Sequence, residues 1–396
     1  MRCKISDIAD VLMGQSPKSE FYNSNGDGIE FLQGNRTFGL KYPTFDTFTT
    51  KITKLAKAND IIMSVRAPVG DLNITPIDIC LGRGVCSFRM KNGNQQYLFY
   101  LLKHYMKQLI NRENGTVFGS VNKNDIISLD INIETNEEKQ REIGSFLSKI
   151  DDKIELNNKI NENLEQQAQA VFRSWFVDFE PFGGVMPSDW EAFNLEKIAV
   201  IDNGYSYKGK ELQSSNIAMA TIKNFDRNGG FKLDGFKEII PSVKIKSSHY
   251  VKKFDILVAH TDLTQNADII GNAELLLSSG EYKSVVASMD LVKVTSKENF
   301  NQFLLASLLK SKLFKTHALG YVNGTTVLHL SKKALKEYII YLPKDLSLLN
   351  KISLYLENVY LKISANIDEN QQLIQLRDTL LPKLMSGELD VSGLDI

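Results

Sequence analysis

The chain has 396 residues, 43% hydrophobic and 24% charged, which is enough for two or three domains with separate cores. Lysine plus arginine and aspartate plus glutamate both number 47, so a uniformly cationic surface is excluded and nucleic-acid binding would need local clusters of basic side chains. Cys3, Cys80 and Cys86 lack paired C-x-x-C spacing, which argues against a disulfide framework and a cysteine-rich zinc site; no run approaches the ~18 apolar residues of a membrane span, and charge breaks the N-terminal run that a signal peptide needs.

Residues 1–135 carry short β-prone runs such as Ile61–Val65 and Val85–Met90 between Gly, Asn, Asp and Pro, with one helix expected over Gln96–Ile110. Residues 136–180 form a first long helix. Its positions step by four and three through Ile143, Leu147, Ile150, Ile154, Asn157, Asn161, Leu164, Ala168, Val171 and Trp175. A sustained 3.5-residue repeat of this kind is a coiled-coil seam. Thr135-x-x-Glu138 predicts a capping box at its start, and Pro181 with Gly183 and Gly184 predicts its end. Residues 181–345 resume the first region's character, with strands expected over Ile256–His260 and Met289–Val294 and a helix over Asn301–Phe314. Residues 346–396 hold a second long helix, capped by Asp345 or Ser347 and ended by Gly387. Its seam runs through Ile352, Leu356, Val359, Ile363, Asn366, Asn370, Leu373, Arg377, Leu380 and Leu384. Each helix is about 40 residues, roughly 60 Å at ~1.5 Å per residue, and reads as a rod rather than a small domain's core helix.

The chain also repeats itself. Gly115–Ile126 returns 209 positions later as Gly324–Leu335, with Lys123 on Lys332, and the same offset lays one seam on the other. Gly14-Gln-Ser-Pro-Lys18 matches Gly204-Tyr-Ser-Tyr-Lys208 at an offset of 190, and Asn59–Met63 matches Phe254–Val258 at 195, so the second copy contains insertions. A buried seam asparagine wants another opposite it. In an antiparallel pair Asn157 faces Asn370 and Asn161 faces Asn366, both summing to 527. The other arrangement packs each helix on its own globular region alone. The expected fold class is α+β, with two homologous globular regions separated by two long antiparallel helices in an intramolecular, pseudo-two-fold coiled coil.

Candidate contacts lie in polar loops. The first region offers Gln15, Lys18, Asn35, Arg36, Arg66, Arg83, Ser120 and Asn122; the second offers Tyr207, Lys208, Lys210, Lys223, Asn224 and Arg227. Arg, Lys, Asn and Gln read base edges, and Arg and Lys hold phosphates, although any solvated surface presents similar loops. Catalytic signals are weak. Gly204 to Lys210 begins like a phosphate-binding loop, but Glu211 stands where Ser or Thr must meet Mg²⁺. Gly82-Arg-Gly84 reads as a turn. His104, His249, His260, His317 and His329 show no metal-ligand spacing and read as structural. Asp151 and Asp152 fall off the seam, where solvation is expected. No metal site is expected, and the chain reads as a non-catalytic recognition component. A coiled-coil adaptor with two ligand-binding heads and no DNA role is the alternative; an enzyme would need an acid–base cluster in a deep pocket.

Several strings then align in order: Ile5-Ser-Asp-Ile-Ala with Gly14-x-Ser-Pro, Asp60-Ile-Ile leading to Gly70, and Gly115-Thr with Ser120-Val-Asn. They continue with Glu137-Glu-Lys-Gln-Arg-Glu-Ile-Gly-x-Phe-Leu, Met186-Pro-Ser-Asp-Trp190 and Leu380-Leu-Pro-Lys-Leu-Met-Ser-Gly-Glu-Leu. In this order they resemble the specificity subunit of type I restriction–modification systems over essentially the whole chain. The resemblance implies target-recognition domains at 1–135 and 181–345, each reading one half of a split, asymmetric double-stranded DNA sequence. It implies spacer helices at 136–180 and 346–396 that dock two methyltransferase subunits, with restriction subunits joining that core in the cytoplasm; a modification-only or type II-like fused system is the variant reading. AdoMet, ATP and Mg²⁺ would belong to the partner chains, leaving no cofactor on this one. One departure is His260-Thr-Asp-Leu-Thr in the place expected for Arg66-Ala-Pro-Val-Gly70.

Overall fold

The computed structural model describes residues 1–111, 119–227, 229–264 and 266–391. Gly115 and Thr116 of the repeat lie outside them. The chain divides into two units, residues 1–156 with 372–396 and residues 157–371.

The first unit is built on an antiparallel sheet of β1 (Ala9–Met13), β2 (Ile61–Ser64), β3 (Leu72–Ile74) and β4 (Val85–Met90), in the order β1-β4-β2-β3. Its central strands are apolar at successive positions because both faces are covered. The two-residue period sends Ile61, Met63, Cys86 and Phe88 to a core shared with Tyr97 to Leu102, and Ile62 and Val85 to another shared with Leu32, Ile79 and Leu81. The first core is closed by α1 (Gln95–Ile110). A second, five-stranded sheet contains a parallel pairing of Ile29–Leu32 with Ile79–Leu81.

The first long helix, α2 (Glu137–Phe176), has 40 residues. Its cap is Asn136 and not Thr135: the Asn136 Oδ1 accepts from the amides of Glu138 and Lys139, while Glu134 holds the amides of Thr135 and Asn136.

The second unit repeats this plan. Its sheet of β5 (Ala199–Asn203), β6 (Ile256–Ala259), β7 (Ala273–Leu275) and β8 (Leu291–Ser296) has the order β5-β8-β6-β7. A neighbouring sheet again holds one parallel pair, Ile217–Ala220 with Ser284–Ala287. Polar anchors are duplicated too. Gln95 accepts from the Met90 amide and donates to the Phe88 carbonyl; Gln302 does the same at Ser296 and Val294. Lys91 donates to the Ser6 carbonyl, and Lys297 to that of Glu196.

Two expectations for the strands and short helices of the second unit need correction. The helix expected over Asn301–Phe314 is two helices, α3 (Gln302–Lys310) and α4 (Lys312–Leu319). Ser311 takes an extended ψ of 151° between them, and its hydroxyl accepts from the Phe314 amide. The strand expected from Met289 begins at Leu291, because the Leu291 amide turns back onto the Ser288 carbonyl.

The second long helix, α5 (Asn350–Ser386), has 37 residues. Asp345 caps the turn before it, and Gly387, at φ +76°, ends it. The helices pair antiparallel within each unit. In the first, Ile143 and Leu147 share a core with Leu381, Leu384 and Met385. In the second, Ala168, Phe172 and Phe176 share one with Ile352, Leu356, Val359 and Ile363. Ile150, Ile154, Asn157, Asn366 and Asn370 are buried, and Asn161, Leu164 and Leu373 partly so. The helices are not a free rod: each pairing is also a wall of a globular core. Nor is Asp151 solvated. It is buried against Arg377 at 2.6 Å and receives the Tyr100 hydroxyl at 2.7 Å.

The motif glycines Gly14 and Gly204 each follow the sheet's first strand, with no room for a Cβ. One at Gly14 would collide with the Gly82 carbonyl, and one at Gly204 with that of Ser288. Backbone cannot swing aside as a side chain tip can. Gly204→Ala is therefore expected to destabilise the second unit by about 3 kcal/mol, read as a drop in its urea midpoint. A change within error would contradict this packing.

Candidate nucleic-acid interface

In the first unit the candidate loops are laced together by backbone hydrogen bonds. The Gln15 amide donates to the Leu81 carbonyl, and the Arg83 amide to Ser16 Oγ. Ser16 in turn donates to Gln33 Oε1 at 2.8 Å, and the Gly84 amide reaches the Gln33 carbonyl. The Val65 amide donates to the Gly84 carbonyl, and Arg66 pairs with Ser120 in an isolated bridge. Gln15, Arg66, Arg83 and Ser120 thus lie along one connected ribbon. Arg66 and Arg83 are exposed and make no ion pair among the described residues.

Other candidates are already occupied. Arg36 pairs with Asp46 at 2.6 Å, and this guanidinium, then the Thr47 hydroxyl, hold the Asp46 carboxyl below its usual range. Asn35 donates to Asp71. Lys18 is exposed, 3.9 Å from Glu20. Asn122 caps the short helix Lys123–Ile127, accepting from the amides of Asn124 and Asp125, so its side chain shapes the fold.

The second unit presents two separate basic loops. Lys208 and Lys210 are exposed on a loop braced by buried Glu211. Glu211 accepts from the Ser242 hydroxyl and amide, the Lys208 amide and the Tyr205 hydroxyl, donors that hold its pKa down to about 2. A residue so engaged is a loop brace, which disposes of the phosphate-loop likeness. Tyr207, half-buried, stacks under Lys237. The other loop places Lys223 and Arg227 on a cleft of about 610 Å³, facing Asp262 and Thr264. Asn224 does not face solvent: it is fully buried, accepting from the Thr221 amide and donating to the Lys232 carbonyl.

The segment expected to replace Arg66 to Gly70 is longer than the sequence alignment suggested. The counterpart of Gly70 is Gly271. The Gly70 amide donates to the Ser64 carbonyl and the Gly271 amide to that of Ala259, both at positive φ. Each lets the chain pass a helix closely: a Cβ would meet Met106 from Gly70, or Ala318 from Gly271. The loop between is longer in the second unit, and its Thr261 pairs with His329 as Arg66 pairs with Ser120.

Sequence reasoning missed Ser16 and Gln33, which tie the loops, and Lys41, Glu274 and Lys310, which anchor them. Short-range patterns carry no sign of such long-range partners; only the Ser16 position, inside the duplicated Gly-x-Ser string, had a signal. Among the described residues no group of three or more His, Cys, Asp or Glu is placed to hold a metal ion, and no helix is long and apolar enough to cross a membrane.

Comparison with known proteins divides the chain into two consecutive copies. The family model for the type I restriction modification DNA specificity domain matches residues 1–166 and again residues 187–375. A 163-residue stretch is 37% identical to a chain assigned as the MjaX specificity subunit of a type I restriction enzyme in Methanocaldococcus jannaschii, covering 41% of this chain and 38% of that one. The type I restriction enzyme MjaIX specificity subunit of the same organism is 25% identical over 99% of this chain and 94% of its own length. A crystal structure of the S subunit of a type I restriction–modification system from M. genitalium shares the fold, with a TM-score of 0.61 at 17% identity, over 97% of this chain and 95% of that one. With two matched copies of the domain spread over most of its length, the chain belongs to the type I restriction modification DNA specificity family.

Proposed function

We propose that the chain is the sequence-reading subunit of a type I restriction–modification complex, each domain reading one half of a split, asymmetric DNA target. The domains would be residues 1–135 and 181–345, and the helices of 136–180 and 346–396 would set the spacer and dock two methyltransferase subunits. Restriction subunits would join that core in the cytoplasm, with AdoMet, ATP and Mg²⁺ held by the partners. The observation that carries this reading is the contrast between scaffold and loops. The two units repeat the same sheet order and the same glutamine and lysine anchors. Beyond the matched pair Lys18 and Lys208, their exposed basic residues do not repeat: Arg66 and Arg83 stand in one unit, Lys210, Lys223 and Arg227 in the other. A common frame with different polar loops suits two different half-sites.

The contact set we propose is Gln15, Lys18, Arg66, Arg83 and Ser120 in the first domain, with Tyr207, Lys208, Lys210, Lys223 and Arg227 in the second. Asn35 and Arg36 would join the first set once released from Asp71 and Asp46. The chain's equal counts of basic and acidic residues fit tight binding only alongside partners, since phosphate neutralisation supplies most non-specific affinity. Methylome sequencing of a host carrying the complex tests the reading. The expected result is a two-part motif, with Arg83→Ala relaxing one half only. A continuous motif, or no methylation dependent on this chain, would refute it.

A further inference from the structure

We propose that two buried lysines, Lys41 and Lys310, are positioning residues that tether each unit's reading loops to the long helix α2. This inference rests on the DNA-reading function above and assigns it a mechanical frame.

In the first unit, Lys41 belongs to the loop that carries Asn35 and Arg36. Its side chain is only 2% exposed. The ammonium crosses to α2, donating to Ser148 Oγ at 2.8 Å and to Asp152 Oδ1 at 2.5 Å. The loop is braced within itself by the Thr44 amide on the Thr37 carbonyl, and tied to β3 by the Ile74 amide on the Lys41 carbonyl and by paired bonds between Gly39 and Asn73. Loop and sheet edge are therefore one piece, and Lys41 fixes that piece to the helix.

The second unit reaches the same helix by another route. The Gly230 amide, three residues beyond Arg227, donates to Glu274 at 2.7 Å. Glu274 accepts from Lys310 at 2.6 Å, and Lys310 also reaches Glu165 of α2 at 3.2 Å. Burial alone would depress the Lys310 ammonium, but the two carboxylates outweigh it and hold its pKa above the usual lysine range.

Stability does not explain either tether. A buried charge pair is commonly no better than well-packed apolar side chains of similar size. What a lysine adds is a directional link of fixed length between two elements. Nor is the first tether inherited from the duplicated scaffold. At the offset of 209, Ser148 and Asp152 fall on Glu357 and Leu361, so the first tether has no copy in the second unit. Two unrelated links from reading loops to one helix indicate a shared demand: the loops must keep a set position relative to the element that fixes the spacer. Such preorganisation favours specificity over raw affinity.

The test uses the full complex and its methylome. Lys41→Met and Asp152→Asn should each raise methylation of sites mismatched in one half of the motif by roughly tenfold, leaving the other half as strict as in the wild type. Lys310→Met with Glu274→Gln should relax the opposite half. Lys41→Arg should retain wild-type strictness. If Lys41→Met fails to assemble, Asp152→Asn decides, because that carboxylate is half-exposed and its loss leaves the core intact. A two-part wild-type motif left unchanged by these variants, or relaxed equally in both halves, would overturn the tether alone. A wild-type complex without a two-part motif would overturn the function and the tether together.

Discussion

Arg377→Leu is expected to destabilise the first unit by about 3–5 kcal/mol, because it strands a buried carboxylate. Arg377 and Asp151 are 7% and 3% exposed at their side chains and meet at 2.6 Å. Asp151 also takes the Tyr100 hydroxyl, and burial, then this carboxylate, push the tyrosine's pKa well above its usual value. Removing the cation leaves Asp151 with one neutral donor in a dry environment. The triple change Arg377→Leu, Asp151→Leu and Tyr100→Phe removes the buried trio, leaves Asp378, the exposed second partner of Arg377, to solvent, and should recover most of the loss. Urea denaturation of the four variants in a double-mutant cycle, with Tyr100→Phe as background, measures the coupling. A coupling below about 1 kcal/mol would place this pair with surface ion pairs and contradict the buried geometry.

The same pair marks where sequence reading stopped. The seam pattern placed Arg377 at a core position, and that was correct. No rule of spacing identified its partner, since Asp151 lies one residue off the opposing seam and looked solvated. It is buried because α1 lies against the helix there and delivers Tyr100. Regular periodicity reports helices and strands well, so the seam residues, the sheet strands and the duplication were legible. It is silent on which third element covers a helix face, hence the missed Lys41 and Lys310. Asn224 failed for a related reason. Asparagine in a polar loop looks available, yet its amide is the loop's own internal tie, as Asn122 is a helix cap. The break at Ser311 was equally hidden: one serine hydroxyl competing with the helix ladder leaves no compositional trace.

The asparagine layers should trade stability for a single register. Asn370 accepts from Asn157 at 2.9 Å and donates to Asn158 at 2.9 Å, while Asn366 donates to Asn161 at 2.8 Å. Asn370→Leu alone is expected to cost about 2 kcal/mol, because Asn157 and Asn158 each lose a partner. Asn157 keeps Glu369 at 2.8 Å, which bounds the loss. Replacing Asn157, Asn161, Asn366 and Asn370 together by leucine should do the reverse and raise the melting temperature. The layer then becomes apolar throughout, and nothing in it distinguishes one heptad step from the next. Of the buried polar links between the two helices, the Asp151–Arg377 pair of the other unit would then remain. In the assembled complex the quadruple variant is therefore expected to methylate motifs of more than one spacer length, whereas adding Arg377→Leu and Asp151→Leu should broaden the distribution further. Methylome sequencing reads the spacer at each modified site directly. A quadruple variant confined to the wild-type spacer would assign register to the apolar packing of Leu147, Leu356 and their neighbours instead of to the polar ladder.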